Sequence, residues 1–399
     1  MSSEELDELQ YPTPRDPVDI LFLALGHAGG RLIAHLPRRV PELSYAMVDT
    51  DRAALEASPF DRTLLLGGEL CNGQGSGSNP DLALRCAEAA EEDLLELIDG
   101  YRVVMLIAGL GGGTGGGVGP WLAARARERG QLVLAGLTRP LEAEGGHRRH
   151  LADTALSLFR DTSDGVFLFP LESCRQPEDT GWLLPRLFVN CGKLVGRSLG
   201  GLAVMLRSGW LMPLALMDVV QMLQRCDGNC RLVAISSDEE DRVENLLEQL
   251  FEHPLLDQGS LLAHSGGVIL GLLCGPGVTL AEVERVSLEM RRVLRSDAEF
   301  RIGIAQDERF GRYLGLVVMV AEHWSARVVP LEALSDPGEQ EEESQGELKL
   351  VQSEIELEGV TQGRFKDAEP TVYEGADLDT PTFIRRGLKL SNRVKGNAR

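Results

Sequence analysis

One stretch constrains this chain before any other: residues 107–120, IAGLGGGTGGGVGP, where eight of fourteen positions are glycine. A run with so few side chains cannot be fixed by side-chain packing of its own. It lies between an apolar run at 103–107 and an amphipathic stretch whose helix is expected to begin near Val118. A flexible linker would not sit between a hydrophobic strand and a helix. Glycine here offers bare backbone. Without Cβ atoms the chain turns through positive φ and lays successive N–H groups against an anion, and the following helix N-terminus adds partial positive charge. Thr114 adds a hydroxyl donor inside the run.

Two further loops repeat the pattern. Residues 26–30 follow an apolar run at 18–25 and open the next helix, and residues 71–80, CNGQGSGSNP, end where another helix begins. Asp49, Thr50 and Asp51 follow the second strand, where a carboxylate about twenty residues past a glycine turn could equally hold the ribose of a dinucleotide. Against that alternative, residues 26–29 lack the full glycine fingerprint and the richest loop sits on a later strand. Three such loops on one sheet edge suit a triphosphate.

From residue 18 to about 161, short apolar runs alternate with amphipathic stretches, the mark of a parallel sheet flanked by helices. The clearest helix is expected over 81–98, capped by Asn79 with Pro80 at its first position. Residues 183–207 read as a long helix, apolar around much of its circumference and so buried between two units. A smaller α/β unit follows, with strands at 231–235 and 267–273, helices at 239–251 and 279–294, and a last strand ending near Val320. Beyond about 334 the sequence turns to Glu, Gln, Ser and Gly, too poor in large apolar residues to offset ordering entropy. The expected division is 1–17 disordered, 18–180 nucleotide-binding, 181–208 central helix, 209–330 second domain, 331–376 acidic linker and 377–399 terminal peptide with a basic tail.

Composition trims the functional classes. A formal net charge of −21 over 399 residues argues against gripping phosphate backbones, so no nucleic-acid partner is expected. The acidic start lacks a secretory signal, and the longest apolar runs are short and broken by glycine, which points to a cytoplasmic protein. Seven scattered cysteines, with Cys226 and Cys230 the only close pair, lack zinc spacing and read as reduced, buried thiols; no metal site is expected from them.

On these residues a resemblance can be stated. GGGTGGG resembles the signature loop of the tubulin/FtsZ superfamily, and YAMVDTDRAAL, GQGSGSNPD, TRPLEAEG, HPLLDQGSLLAHSGGVIL and the late DLDTPTFIRR stand in the order found in FtsZ. The resemblance, to a divergent FtsZ or FtsZ-like paralogue, implies a Rossmann-like α/β GTPase domain with a parallel sheet, a long central helix, a second smaller α/β domain and a disordered C-terminal tail. It implies a GTP/GDP ligand, with Mg2+ as a candidate companion. His27, Ala28, Gly29, Gly30, Arg31, Gly111, Gly112, Gly113, Thr114 and Gly115 would wrap the phosphates, and Gly75, Ser76, Gly77, Ser78 and Asn79 would face the terminal one. Glu144 and Arg148 match ribose-side and base-side contacts, though at a spacing of four they could equally be an exposed helix ion pair. Phe188 falls at the position that stacks on the base.

The resemblance also implies self-association into filaments in bacterial cell division, co-assembly with another FtsZ, and hydrolysis completed by a neighbouring subunit's acidic loop NxDxxD. Here the aligned residues are Pro213, Ala215 and Asp218, so one acid remains as the catalytic candidate, and turnover is expected to be slow. Asp218 could instead cap the following helix. Lys193 occupies the place of the family's base-reading carboxylate and, while protonated, cannot accept a hydrogen bond; Asn190 is a nearby substitute. In the tail, Leu378, Pro381, Phe383, Ile384 and Arg385 match the family's tether peptide, implying a membrane tether such as FtsA or ZipA, or the membrane surface itself. A solvated tail is the plain alternative. The hydrolysis-poor alternative is a paralogue that joins, stabilises or regulates division filaments.

Overall fold

Strands covered on both faces read as unbroken apolar runs rather than alternating ones. β1 (Ile20–Leu25, ILFLAL), β4 (Val103–Gly109) and β5 (Leu132–Arg139) are such runs, and every residue of β1 is buried. Their side chains part by the period of two: Ile20, Phe22 and Ala24 enter one core and Leu21, Leu23 and Leu25 the other. The computed structural model describes residues 18–34, 43–174, 184–207, 210–212, 214–324, 372–373 and 376–377.

With β2 (Ser44–Asp49), β3 (Thr63–Leu65) and β6 (Gly165–Pro170), the first half of the sheet runs β3-β2-β1-β4-β5-β6, all parallel. That order reverses direction between β1 and β4, and in open α/β sheets the ligand crevice lies outside the strand ends at such a switch point. The sheet continues through β8 (Asn229–Ser237), β11 (Leu314–Ala321), β9 (Gly267–Cys274), β10 (Glu299–Gln306) and β7 (Trp210–Met212), giving eleven strands. Only Val166↔Asn229 and Phe167↔Cys230 join β6 to β8, so the stretches expected as two domains share one sheet through a short seam. Two further short strands, β12 (Val372–Tyr373) and β13 (Ala376–Asp377), pair antiparallel as a separate unit.

The helices in chain order are α1 (Gly26–Ile33), α2 (Arg52–Glu56), α3 (Pro80–Ala89), α4 (Glu91–Ile98), α5 (Gly113–Glu128), α6 (Gly146–Thr162), α7 (Leu184–Arg207), α8 (Leu216–Arg225), α9 (Arg242–Phe251), α10 (Ser260–His264) and α11 (Leu280–Val293). α7 is the expected spine. Leu187, Cys191, Val195, Leu199, Leu202 and Met205 form its buried face, and Leu199 meets Gly136 of β5 while Met205 meets Gly271 of β9. A single helix thereby packs on both halves of the sheet.

Two expectations need correction. The helix expected over 81–98 is two helices, broken at Ala90 (φ −118°, ψ 30°), where Glu91, Glu92 and Asp93 form the acidic first turn of α4. Three acids favour a helix start over a helix interior, through the macrodipole. Its cap is as expected: Asn79 accepts from the Leu82 N–H at 3.1 Å with Pro80 at the first position. The helix expected from Val118 instead begins at Gly113 and carries Pro120 inside it. Packing overrides the low helix propensity of glycine there, because Gly117 lies against Pro80 and Gly119 against Phe159, where side chains would not fit. Among the described residues no helix is long and apolar enough to cross a membrane, and the seven cysteines are buried and unbridged.

Candidate functional site

The carboxyl ends of β1, β2, β4 and β5 open on one cavity of about 480 Å³. Residues from three glycine-containing loops line it: Gly26, His27, Ala28 and Arg31 of α1; Gln74, Gly75, Ser76, Gly77 and Ser78 ahead of α3; and Gly112, Gly113, Thr114 and Gly115 at the start of α5. Both α1 and α5 thus present their N-termini to one space. Their first N–H groups have no helical acceptor and the dipoles favour negative charge, so the cavity is built for an anion.

A buried polar network laces these loops together. Asp49 Oδ1, at the end of β2, accepts from the Thr50 N–H at 2.7 Å, the Asp51 N–H at 3.3 Å and the Thr114 hydroxyl at 3.0 Å. Thr50 Oγ1 lies 3.0 Å from Thr114 Oγ1 and accepts from the Ser76 N–H at 2.9 Å. Burial pushes the Asp49 carboxyl above the usual range, with the bonds from Thr114 and the backbone pulling the other way. Gly113 lets the loops close: a Cβ there would lie 2.0 Å from Ser76 Oγ and 2.9 Å from Asn79 O.

Cations and one aromatic ring complete the rim. Arg31, Arg139 and Arg148 line the cavity, and the Arg31 guanidinium lies over the Phe188 ring of α7 at 5.5 Å, a cation–π contact. Glu144 also lines it; its carboxylate accepts from Arg148 at 2.5 Å and from the Leu141 N–H at 2.8 Å. The ion pair and the cavity lining, alternatives in the sequence, coexist. An aromatic ring, arginines and two helix N-termini on one cavity suit a nucleotide with several phosphates.

Some sequence-derived site residues lie elsewhere. Gly29 and Gly30 are buried in α1, where Cβ atoms would lie 2.3 Å from Ile107 O and 2.7 Å from Met47 Sδ; they seat the helix on the sheet. Asn79 caps α3, and Gly111 makes the turn before α5 with φ +86°. Lys193 is exposed on α7 and outside the cavity lining, and Asn190, partly buried, is outside it too. Asp218 sits on α8, beside strand β10 of the other half of the sheet. There Ala215 is the N-cap residue, and Asp218, three residues on, reaches back so that Oδ2 accepts from the Ala215 N–H at 2.7 Å. Pro213 and the tail residues Leu378, Pro381, Phe383, Ile384 and Arg385 lie outside the described residues.

Sequence reasoning passed over Thr138, Arg139, Pro140 and Leu171 as cavity residues. A signal existed for three of them: residues 138–140 end or follow β5, the next strand along from the switch point, where ligand contacts collect.

Residues 19–176 match the Tubulin/FtsZ family, GTPase domain. The chain is 27% identical over 325 residues to the cell division protein FtsZ of Methanothermobacter thermautotrophicus, covering 80% of this chain and 84% of that one. With the same-named protein of Buchnera aphidicola it is 26% identical over 377 residues, covering 92% and 96%. Among solved structures, an FtsZ dimer of M. jannaschii superposes with a TM-score of 0.67 at 23% identity, covering 80% of this chain and 92% of that chain. A GTPγS-bound protofilament of CetZ2 from Haloferax volcanii superposes with a TM-score of 0.60 at 19% identity, covering 76% and 92%. These two likenesses are ones of fold.

Proposed function

The chain is a member of the tubulin/FtsZ superfamily, and on that premise we propose that it binds GTP in the cavity at the β1–β4 switch point and assembles with copies of itself into filaments in bacterial cell division. The observation that carries the reading is the convergence of three glycine loops and two helix N-termini on one space that also holds Phe188, Arg148 and Glu144. In this reading the backbone N–H groups of α1 and α5 take the phosphates, the loop at 75–78 faces the terminal phosphate, and Phe188 stacks on the base. Mg2+ fits the residues present, since it uses one or two carboxylates together with substrate phosphates. Asp51 lines the cavity, with Oδ1 accepting from Ala53 and Oδ2 without a partner among the described residues. When bound, the ion would neutralise phosphate charge.

Hydrolysis would take place where a neighbour's α8 edge meets the terminal phosphate, with Asp218 as the acid that activates water. A specific observation favours the second reading, a hydrolysis-poor paralogue that joins or stabilises division filaments: Asp218 is tied both to its own helix and to Arg301. The proposal includes a cytoplasmic location and tethering through the tail around Phe383 and Ile384.

The deciding experiment follows GTP binding, sedimentation and phosphate release against protein concentration, with ATP in parallel. Binding that prefers GTP, together with assembly above a threshold concentration, is expected, and phosphate release confined to the assembled fraction would favour turnover at interfaces. A chain that fails to bind GTP sinks the reading.

A further inference from the structure

Both oxygens of the acid left to activate water already accept a hydrogen bond. Asp218 Oδ2 is spent on the Ala215 N–H at 2.7 Å, and Oδ1 accepts from Arg301 Nη1, across 83 residues of chain. Arg301, on β10, is itself braced. Its Nε donates to Glu299 Oε1 at 2.8 Å and its Nη2 to Gln221 Oε1 at 2.9 Å. Glu299 is held from the other side by Arg225 Nη1, and the Arg225 guanidinium lies over the Trp324 ring at 5.3 Å. Asp218 and Arg301 are both only about one third exposed, at 30% and 28% of their side chains.

We infer that Arg301 is a latch on Asp218, a positioning residue that holds the carboxylate as a helix-start counter-ion and keeps it from activating water on a neighbouring copy's nucleotide. The inference rests on the proposed assembly and deepens it by naming what restrains turnover at that same site. In hydrolysis the water oxygen forms the new bond to the terminal phosphorus, the bridging P–O bond to the leaving diphosphate breaks, and a water proton passes to the base. A carboxylate takes that proton on an oxygen that water can reach, and a guanidinium on Oδ1 occupies one of its acceptor sites and offsets the charge that makes it a base. The brace matters as much as the contact. A lone arginine on a flexible stem could swing aside when a neighbour docks, whereas one fixed by Glu299 and Gln221 must break three bonds to do so. The latch also accounts for an acid retained where Ala215 and Pro213 supply none: its partner keeps it in structural service.

The test uses the full chain, comparing wild type with Arg301→Gln, Arg301→Met, Arg301→Lys and the double variant Arg301→Gln with Asp218→Asn. GTP affinity, the sedimenting fraction and phosphate release per assembled subunit are measured for each. Arg301→Gln and Arg301→Met are expected to raise release per assembled subunit by about tenfold or more with GTP affinity unchanged. Arg301→Lys should stay nearer wild type, because it keeps the charge, and adding Asp218→Asn should abolish the gain. Misfolding lowers turnover, so a gain cannot come from it, and either uncharged variant suffices if the other fails to fold. Unchanged release with intact binding and assembly overturns the latch. A fall under the same conditions also overturns it and makes Arg301 a cation acting on the neighbour's phosphate. Absence of GTP binding by the wild type removes the nucleotide reading itself, and the latch with it.

Discussion

The rim of the cavity and the edge around Asp218 are both built where loops meet helix starts, yet they spend their polar groups in opposite ways. At the rim, Asp49, Thr50, Thr114 and Ser76 bond one another beneath the surface, and this fixes the loops while the helix N-termini still face open space. At the far edge the charged side chains pair among themselves: Asp218 with Arg301, Arg301 with Glu299, Glu299 with Arg225. The first region is pre-organised with its binding groups unspent, and the second is complete without a ligand. Pre-organisation lowers the cost of binding, and self-satisfaction raises the cost of doing chemistry.

The sharpest way to break this contrast is Gly113→Ala. The new Cβ would lie 2.0 Å from Ser76 Oγ and 3.0 Å from the Asn79 nitrogen, so the loops must part. GTP affinity is expected to fall about 100-fold, with a stability loss of about 1–3 kcal/mol; nucleotide titration and denaturant melts measure both. Retained affinity would mean that the closed floor is not the phosphate cradle.

The two halves should also respond to acid with opposite signs. His253, beyond α9, is held neutral by burial, its value pushed down to about 4, while its Nδ1 accepts from the Leu255 N–H at 3.2 Å. Unfolded, it takes a proton near pH 6.5, so below that the unfolded chain binds more protons, and stability is lost as pH falls from about 6.5 to 4. Glu282, held down to about 2 by Arg242, adds a loss that begins below about 4.5. Asp49 is raised instead, so protonating it relieves a burial cost as pH falls through its folded value. His253→Asn keeps a capping acceptor without the titration. Chemical melts at pH 7 and pH 4.5 should show the variant losing less stability on acidification than wild type, by up to about 3 kcal/mol. Equal losses would remove His253 as the acid-sensitive group.

The smallest effects sharpen the map of the rim. Phe188→Ala should weaken GTP binding about tenfold through lost stacking, whereas Lys193→Ala, exposed and off the cavity, should change it less than about twofold. Calorimetric titration separates them. A larger effect at Lys193 would place the base on a different path along α7.

The strands and the rim were the most legible parts. Apolar runs such as ILFLAL identify buried parallel strands because both faces must be covered, and glycine loops after them announce themselves because glycine turns there at the least steric cost. Helix limits were less legible. The break at Ala90 and the early start of α5 at Gly113 depend on neighbours rather than on local preference, as when Gly117 packs on Pro80. Least legible was the fate of single charges. Arg31, expected at the phosphates, lines the cavity but lies over Phe188, and Asp218, weighed as a catalytic acid or a cap, spends its other oxygen on an arginine 83 positions away.

By itself, then, the amino-acid order determined the periodic burial of the strands, the glycine-rich turns and the long central helix, since each follows from rules that act within a few residues. Only the tertiary structure decided where α5 begins, that one sheet runs through both halves, and which guanidinium each carboxylate meets. Those outcomes depend on strands and helices brought together across the sheet, and no local pattern of the chain encodes the partner of a side chain that lies on another strand.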